Sequence, residues 1–275
     1  MMTYRRRTWG MCISIVGLCY ILSGCNFIST STSPEEQFQI SVSGLAGTEA
    51  LTFMGEAALR RNEQRQFEQH FAYEGKLTNH DQLTMQSILP VQSASKKKNM
   101  TSAQEKVNKS ADFLHMNGEW VHTSSKTDQA DQVLIRFNPL DQLEEISGYG
   151  KVITEERGAS RGTRVLRIEL KPEDALEWLD KQLSSEMNAL RQELVEQRTL
   201  YSSKVRSELD GIWKKGDEQL QAMLKEAKVG TIYHMTIDRT SNLPIRLTSE
   251  SNMSYLDLEG IEQIESVVND VSFQL

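Results

Sequence analysis

From Leu51 onward the apolar residues fall on alternate positions, and this period of two restricts the chain to extended strands with one buried face. Leu51, Phe53, Ala57 and Leu59 share a face of a first strand. Phe67, Phe71, Tyr73 and Leu77 share a face of a second; Leu83, Met85 and Leu89 follow after the turn-forming Asn79-His80-Asp81. A helix over 45–66 is the runner-up, because Glu56 to Arg65 is rich in helix formers. Asn117-Gly118 is the strongest local hairpin signal. A two-residue turn there pairs Met116 with Glu119, His115 with Trp120 and Phe113 with His122. After the apolar run Val133 to Phe137, Asn138-Pro139 predicts a helix cap followed by proline at the first helical position. Leu140, Leu143 and Ile146 continue that short helix, and Gly148 and Gly150 end it. Strands are expected at Val152-Ile153 and from Val165 to Leu170, with a turn over Gly158 to Gly162 between them.

The period then changes. Pro172-Glu173-Asp174 opens a run in which Leu176, Leu179, Leu183, Met187, Leu190, Leu194, Tyr201, Val205, Leu209 and Ile212 recur about every 3.6 residues, the period of a straight helix. A strict period of 3.5 would imply a supercoil, and coiled-coil pairing stays open. One rod from Pro172 to Lys228 would be roughly 85 Å long, too long for one compact domain. A break is expected at Gly211 or at Lys215-Gly216, and Gly230 is expected to end the helical part. Alternation resumes with Tyr233, Met235 and Ile237 opposite Ile232, His234, Thr236 and Asp238. Ser241-Asn242 turns, Pro244 to Ser254 is another strand, and Ile264 to Leu275 is the last. The pattern is α+β, an antiparallel sheet with a long helical insertion over 172–229.

The other informative stretch is Leu22-Ser23-Gly24-Cys25. Arg5, Arg6 and Arg7 precede an apolar run from Trp9 to Leu22 that is shorter than the ~20 residues of a permanent membrane helix. Small residues before Cys25 read as a cleavage site, and the whole reads as a lipobox, with the Cys25 thiol accepting a diacylglyceryl group. An uncleaved anchor, an ordinary signal peptide with a chance cysteine, and a twin-arginine signal are the alternatives; Arg5 before the Arg6-Arg7 pair disfavours the last. Residues 1–24 are then a signal peptide, 25–40 a lipidated cysteine and polar tether, and 41–275 the folded domain. Cys12 and Cys19 lie in the segment removed, so the mature chain keeps only an acylated cysteine and has no internal disulfide. The partner implied is a bacterial membrane, held from its extracytoplasmic face; two acyl chains give stable anchoring where one is marginal.

Charge excludes one class of partner. The formal net charge is -7, and losing three arginines with the leader takes the mature chain to -10. Such a surface argues against nucleic acid. Residues 90–110, centred on Lys96-Lys97-Lys98, read as a surface loop, with a membrane-facing basic patch as the alternative. His115 and His122 share a hairpin face, but no third ligand is evident, so no metal site is assigned. H-E-x-x-H and G-x-x-x-x-G-K are absent from the sequence. No catalytic residue and no cofactor is assigned.

The order of elements, with Tyr233-His234-Met235-Thr236-Ile237-Asp238-Arg239-Thr240-Ser241-Asn242-Leu243-Pro244 and the closing Val271-Ser272-Phe273-Gln274-Leu275, resembles the LolA/LppX-like envelope lipoproteins over roughly residues 45–275. The resemblance implies a curved antiparallel half-barrel with helices on its concave face, enclosing an apolar cavity. It implies a non-catalytic binder or carrier of a hydrophobic, lipid-like ligand, and assigns no individual ligand-binding residue. The alternative is a structural or interaction lipoprotein that uses the long helix as its docking surface. The anchor is tested directly: Cys25→Ala should release the protein from membranes or leave the precursor uncleaved. Metabolic labelling with a fatty acid checks this, and equal labelling of variant and parent would contradict it.

Overall fold

Every stretch of period two within the described residues becomes a strand. The computed structural model describes residues 32–62, 66–88, 110–123 and 129–275. The strands are β1 (Leu51–Arg61), β2 (Gln69–Thr78), β3 (Gln82–Ile88), β4 (Ser110–Met116), β5 (Glu119–His122), β6 (Lys151–Glu155), β7 (Thr163–Leu170), β8 (Lys228–Asp238), β9 (Pro244–Leu256) and β10 (Glu262–Gln274). They form one antiparallel sheet in the order β5-β4-β3-β2-β1-β10-β9-β8-β7-β6. Two five-stranded meanders are thus joined where the first strand pairs with the last, with Phe53 opposite Phe273. The sheet is open, with β5 and β6 at its edges.

Among the described residues six helical pieces accompany it: α1 (Pro34–Ala46), α2 (Gln129–Arg136), α3 (Pro139–Gly148), α4 (Pro172–Glu196), a 3₁₀ turn (Gln197–Leu200) and α5 (Ser203–Glu226). Phe38 and Leu45 of α1, Leu140, Leu143 and Ile146 of α3, and Ala175 and Leu179 of α4 share one core with the inner face of the sheet. That face buries Leu51, Phe53, Tyr73, Met85, Phe113, Ile168, Tyr233, Met235 and Val271. The sheet must curve around these helices. β4 and β6 stand eight strand spacings apart, about 38 Å in a flat sheet at ~4.8 Å per strand. Yet α3, only ~15 Å long, reaches both. Glu144 Oε2 lies 3.2 Å from His115 Nε2 on β4, and the Ser147 carbonyl accepts a hydrogen bond from Lys151 Nζ on β6 at 3.1 Å.

The hairpin at Asn117-Gly118 has the expected register, with both turn residues at positive φ (56° and 85°). Asn138 caps α3, its side chain accepting from Leu140 N at 3.1 Å, with Pro139 at the first turn. Three expectations need correction, and one runner-up reading falls away. The polar tether drawn over 25–40 runs too far, because α1 starts at Pro34: Phe38, Ser41 and Leu45 lie on one buried face, and Gln37 is held by Ser41, Asn242 and Arg164. The helix over 45–66 does not form; Leu51–Arg61 is β1. The long helix breaks at 197–202, not at Gly211 or Gly216, because Ser202 caps a new helix by accepting from Val205 N. Gly230 sits inside β8, opposite Asn252, and the helical part ends at Glu226. The signal segment 1–24, Cys25, Leu89 and the Lys96–Lys98 loop lie outside the described residues.

Two glycines are required by the packing of β1 on β2. Gly55 faces Tyr73 and Gly75 faces Phe53 across the ladder. Each ring lies over the opposite glycine: an added Cβ would come 2.2 Å from the ring in either case. Gly55→Ala should therefore destabilise the fold by about 1–3 kcal/mol, the cost of overpacking a filled core. Gly211 is the opposite case, exposed on α5 with nothing within 4 Å of a new Cβ. Gly211→Ala should raise stability by up to ~1 kcal/mol through helix propensity. Urea denaturation reads both; a Gly55→Ala midpoint equal to that of the parent would contradict the packing described.

Candidate functional site: a cavity between sheet and helical hairpin

The inner face of the sheet is not uniformly filled. One row across it carries Tyr73, Gly55, Val271, Leu247 and Met235, bulky enough around the glycine to close the core. The next carries Phe71, Ala57, Asn269, Ser249 and Tyr233, and the one after it Gln69, Leu59, Val267, Ser251 and Thr231. Small side chains at Ala57, Ser249 and Ser251 leave a deficit of volume along β1, β10 and β9. No helix of the described residues drops into the gap. It remains as a cavity of about 490 Å³, within the roughly 300–1,000 Å³ of small-molecule sites.

The roof comes from the helices. Val133, Arg136 and Phe137 contribute from α2 and the residue after it, and Gln142 from α3. Trp178, Leu179, Gln182, Leu183, Glu186 and Leu190 line it from α4, with Leu220 and Met223 from α5. α4 and α5 fold back on each other as a hairpin. Trp213 Nε1 donates to the Met187 carbonyl at 2.9 Å, Arg191 stacks 4.4 Å over the Trp213 ring, and Gln221 donates to Ser184 Oγ at 3.4 Å. The root of the hairpin is fixed: Ala175, Trp178 and Leu179 are buried, and Trp178 Nε1 and Lys181 Nζ both donate to the Glu145 carboxylate, at 3.0 and 2.8 Å. Further along, Leu190 is 37% exposed, so the distal roof is a cover over the cavity instead of a part of the core.

The electrostatics favour an uncharged occupant. Arg136 pairs with Glu186 at 3.6 Å, and Arg61 pairs with Glu265 at 2.9 Å, where Tyr255 also donates to Glu265. Each lining cation therefore has a lining carboxylate beside it. Burial pushes the Glu186 carboxyl up, against the pull of Arg136. Asn269 Oδ1 accepts from the Tyr73 hydroxyl at 2.9 Å, and burial pushes that phenol up as well. Ser251 and Thr231 share a hydrogen bond at 3.0 Å. Among the described residues no histidine or cysteine lines the cavity. Away from the cavity, burial beside Glu145 and Glu144 pushes the half-buried Asp141 up to about 7. It sits on α3, and the small cavity beside Glu144 and His115 holds only 30 Å³.

The histidines of the hairpin face do not converge. His115 goes to Glu144, whereas His122 packs edge-on against Phe113. Among the described residues no three His, Cys, Asp or Glu side chains gather as metal ligands. Of the helix face Leu183, Met187, Leu190 and Leu194, the first and third line the cavity, while the Met187 carbonyl serves the hairpin. The floor was not assigned from sequence. Its signal is the stretch Thr248-Ser249-Glu250-Ser251-Asn252, a strand centre with no apolar residue.

No family model and no curated protein matches the sequence. Distant similarity is found among solved structures. Lipovitellin, from a structure describing lipid–protein interactions, matches with a TM-score of 0.40 and 8% identity over 82% of this chain, which spans 25% of that one. A LolA superfamily protein from Nitrosomonas europaea matches with a TM-score of 0.27 and 7% identity, over 89% of this chain and 94% of that one. An outer membrane lipoprotein-sorting protein domain from Vibrio parahaemolyticus matches with a TM-score of 0.27 and 10% identity, over 87% and 92%. Among the described residues no helix is long and apolar enough to cross a membrane.

Proposed function

We propose that this protein binds or carries a hydrophobic, lipid-like ligand in the cavity between sheet and hairpin, without catalysing a reaction. One observation carries the proposal: a volume of about 490 Å³, walled mainly by apolar side chains, with its lining charges paired. Apolar surface left open to water inside a fold is unfavourable by roughly 25 cal/mol per Å². A ligand that covers it recovers that free energy, and a charged headgroup inside would have no free counter-ion among the lining residues. The same proposal places the chain on the extracytoplasmic face of a bacterial membrane, held by acyl chains on Cys25. An anchored binder meets its ligand where lipid is concentrated.

Titration with a fluorescent long-chain acyl probe, beside circular dichroism, tests the proposal. The folded parent should bind saturably. Leu190→Asp puts a carboxylate at the half-exposed roof and should weaken uptake roughly tenfold or more while leaving the sheet folded. Leu179→Asp, at the buried root, should unfold the domain instead, because an unpaired charge in a core is costly. Absence of saturable binding by the folded parent would contradict the proposal.

A further inference from the structure

The far end of the hairpin differs in charge from the rest of the chain. Over residues 197–207 there is no acid, and Arg198, Lys204 and Arg206 give three cations, with the exposed Glu196 and Glu208 bounding the stretch, on a protein whose net charge is -7. The same turn exposes aliphatic and aromatic surface. Leu200 is 76% exposed, and Val195, Tyr201 and Val205 are exposed beside it. Thr199, Ser202 and Ser203 are the remaining exposed groups of the turn. The turn is ordered by its own hydrogen bonds: Tyr201 donates to Gln197 Oε1 at 3.1 Å, and Ser202 Oγ accepts from Val205 N at 3.4 Å. Arg198 pairs with Asp210 at 3.6 Å, both largely exposed, a contact that contributes little by itself.

We infer that this tip docks on a lipid bilayer bearing anionic headgroups. Cations together with exposed Leu, Val and Tyr on one small convex element fit that interface: the aliphatics enter the acyl boundary, the tyrosine lies at headgroup level, and the cations meet phosphate. A second copy of this acidic chain, which exposes Leu258 and Ile261 at its β9–β10 turn, is the competing occupant; a bilayer offers acyl depth to Leu200 and phosphate to the cations in one continuous surface. Because the hairpin also roofs the cavity, docking its tip sets the ligand's entry beside the membrane. The anchor proposed at Cys25 supplies proximity only; tip docking and cavity occupancy are separable.

Hydrogen exchange read by mass spectrometry on the full chain tests the inference. The chain is placed in vesicles of phosphatidylcholine, alone or mixed with phosphatidylglycerol. Peptides covering 197–206 should exchange about tenfold or more slowly with the anionic vesicles, three surface cations being worth roughly fivefold each, the equivalent of ~1 kcal/mol apiece. Lys204→Gln with Arg206→Gln should remove most of that difference, and Leu200→Asp all of it, with exchange in the sheet unchanged. Equal exchange in both vesicles would overturn the inference. So would protection that follows protein concentration and not phosphatidylglycerol, since that outcome assigns the tip to a second copy. The comparison holds whether or not Cys25 is acylated, because the same chain meets both vesicles, and vesicle flotation reports the anchor separately.

Discussion

The pairing of the first strand with the last is the constraint on which everything else depends. β1 and β10 run side by side from Thr52/Gln274 to Arg61/Glu265. Without that ladder the chain is two meanders, each with an unpaired edge and half of an inner face. With it, the two halves become one sheet whose curvature is closed over α1 and α3. The cavity floor crosses this same seam, through Ala57 opposite Asn269 and Leu59 opposite Val267. A pairing between residues more than 200 positions apart closes a very long loop, and such contacts form late and slowly.

The hairpin of α4 and α5 has two halves with different duties. At its root, Ala175, Trp178 and Leu179 are as much core as any strand residue, and the Glu145 carboxylate holds Trp178 and Lys181 against α3. From Trp178 to Leu190 the same helix also lines the cavity, over the small side chains of the sheet. The two helices of the pair are held together by Trp213 against Met187 and Arg191. A cover rooted in the core but free at its end can admit an apolar ligand without unfolding the sheet. A lipid-like occupant, a lipid anchor and a membrane-facing tip are three proposals consistent with that one arrangement, each with its own test.

Much of the sheet is legible in the sequence, because the buried residues alternate and the turns carry their own chemistry. Asn117-Gly118 sets a register to the residue, and Asn138-Pro139 marks the start of α3. α1 escapes such reading because its core face includes Ser41 and Gln37, polar residues that find partners only after Asn242 and Arg164 have been brought there by the sheet. The break in the long helix escapes for a related reason. Glycine is a weak breaker when its position is open to solvent, as at Gly211, whereas the serine cap at Ser202 supplies the hydrogen bond that starts a new helix. The cavity is the least legible feature. Ala57, Ser249, Ser251 and Asn269 are unremarkable one by one, and they become a missing volume only when two meanders place them in adjacent rows.

The central claim is that an apolar ligand sits between β1, β10 and β9 on one side and the hairpin on the other. Photo-crosslinking with an acyl lipid carrying a diazirine near its chain terminus, followed by peptide mass spectrometry, tests this most directly. Adducts should concentrate on Leu183, Leu190, Met223, Met253 and Val267, all of which line the cavity, and excess unlabelled lipid should compete them away. Adducts confined to the outer face of the sheet, around His70 and Ile232, or spread over the surface without competition, would contradict the claim.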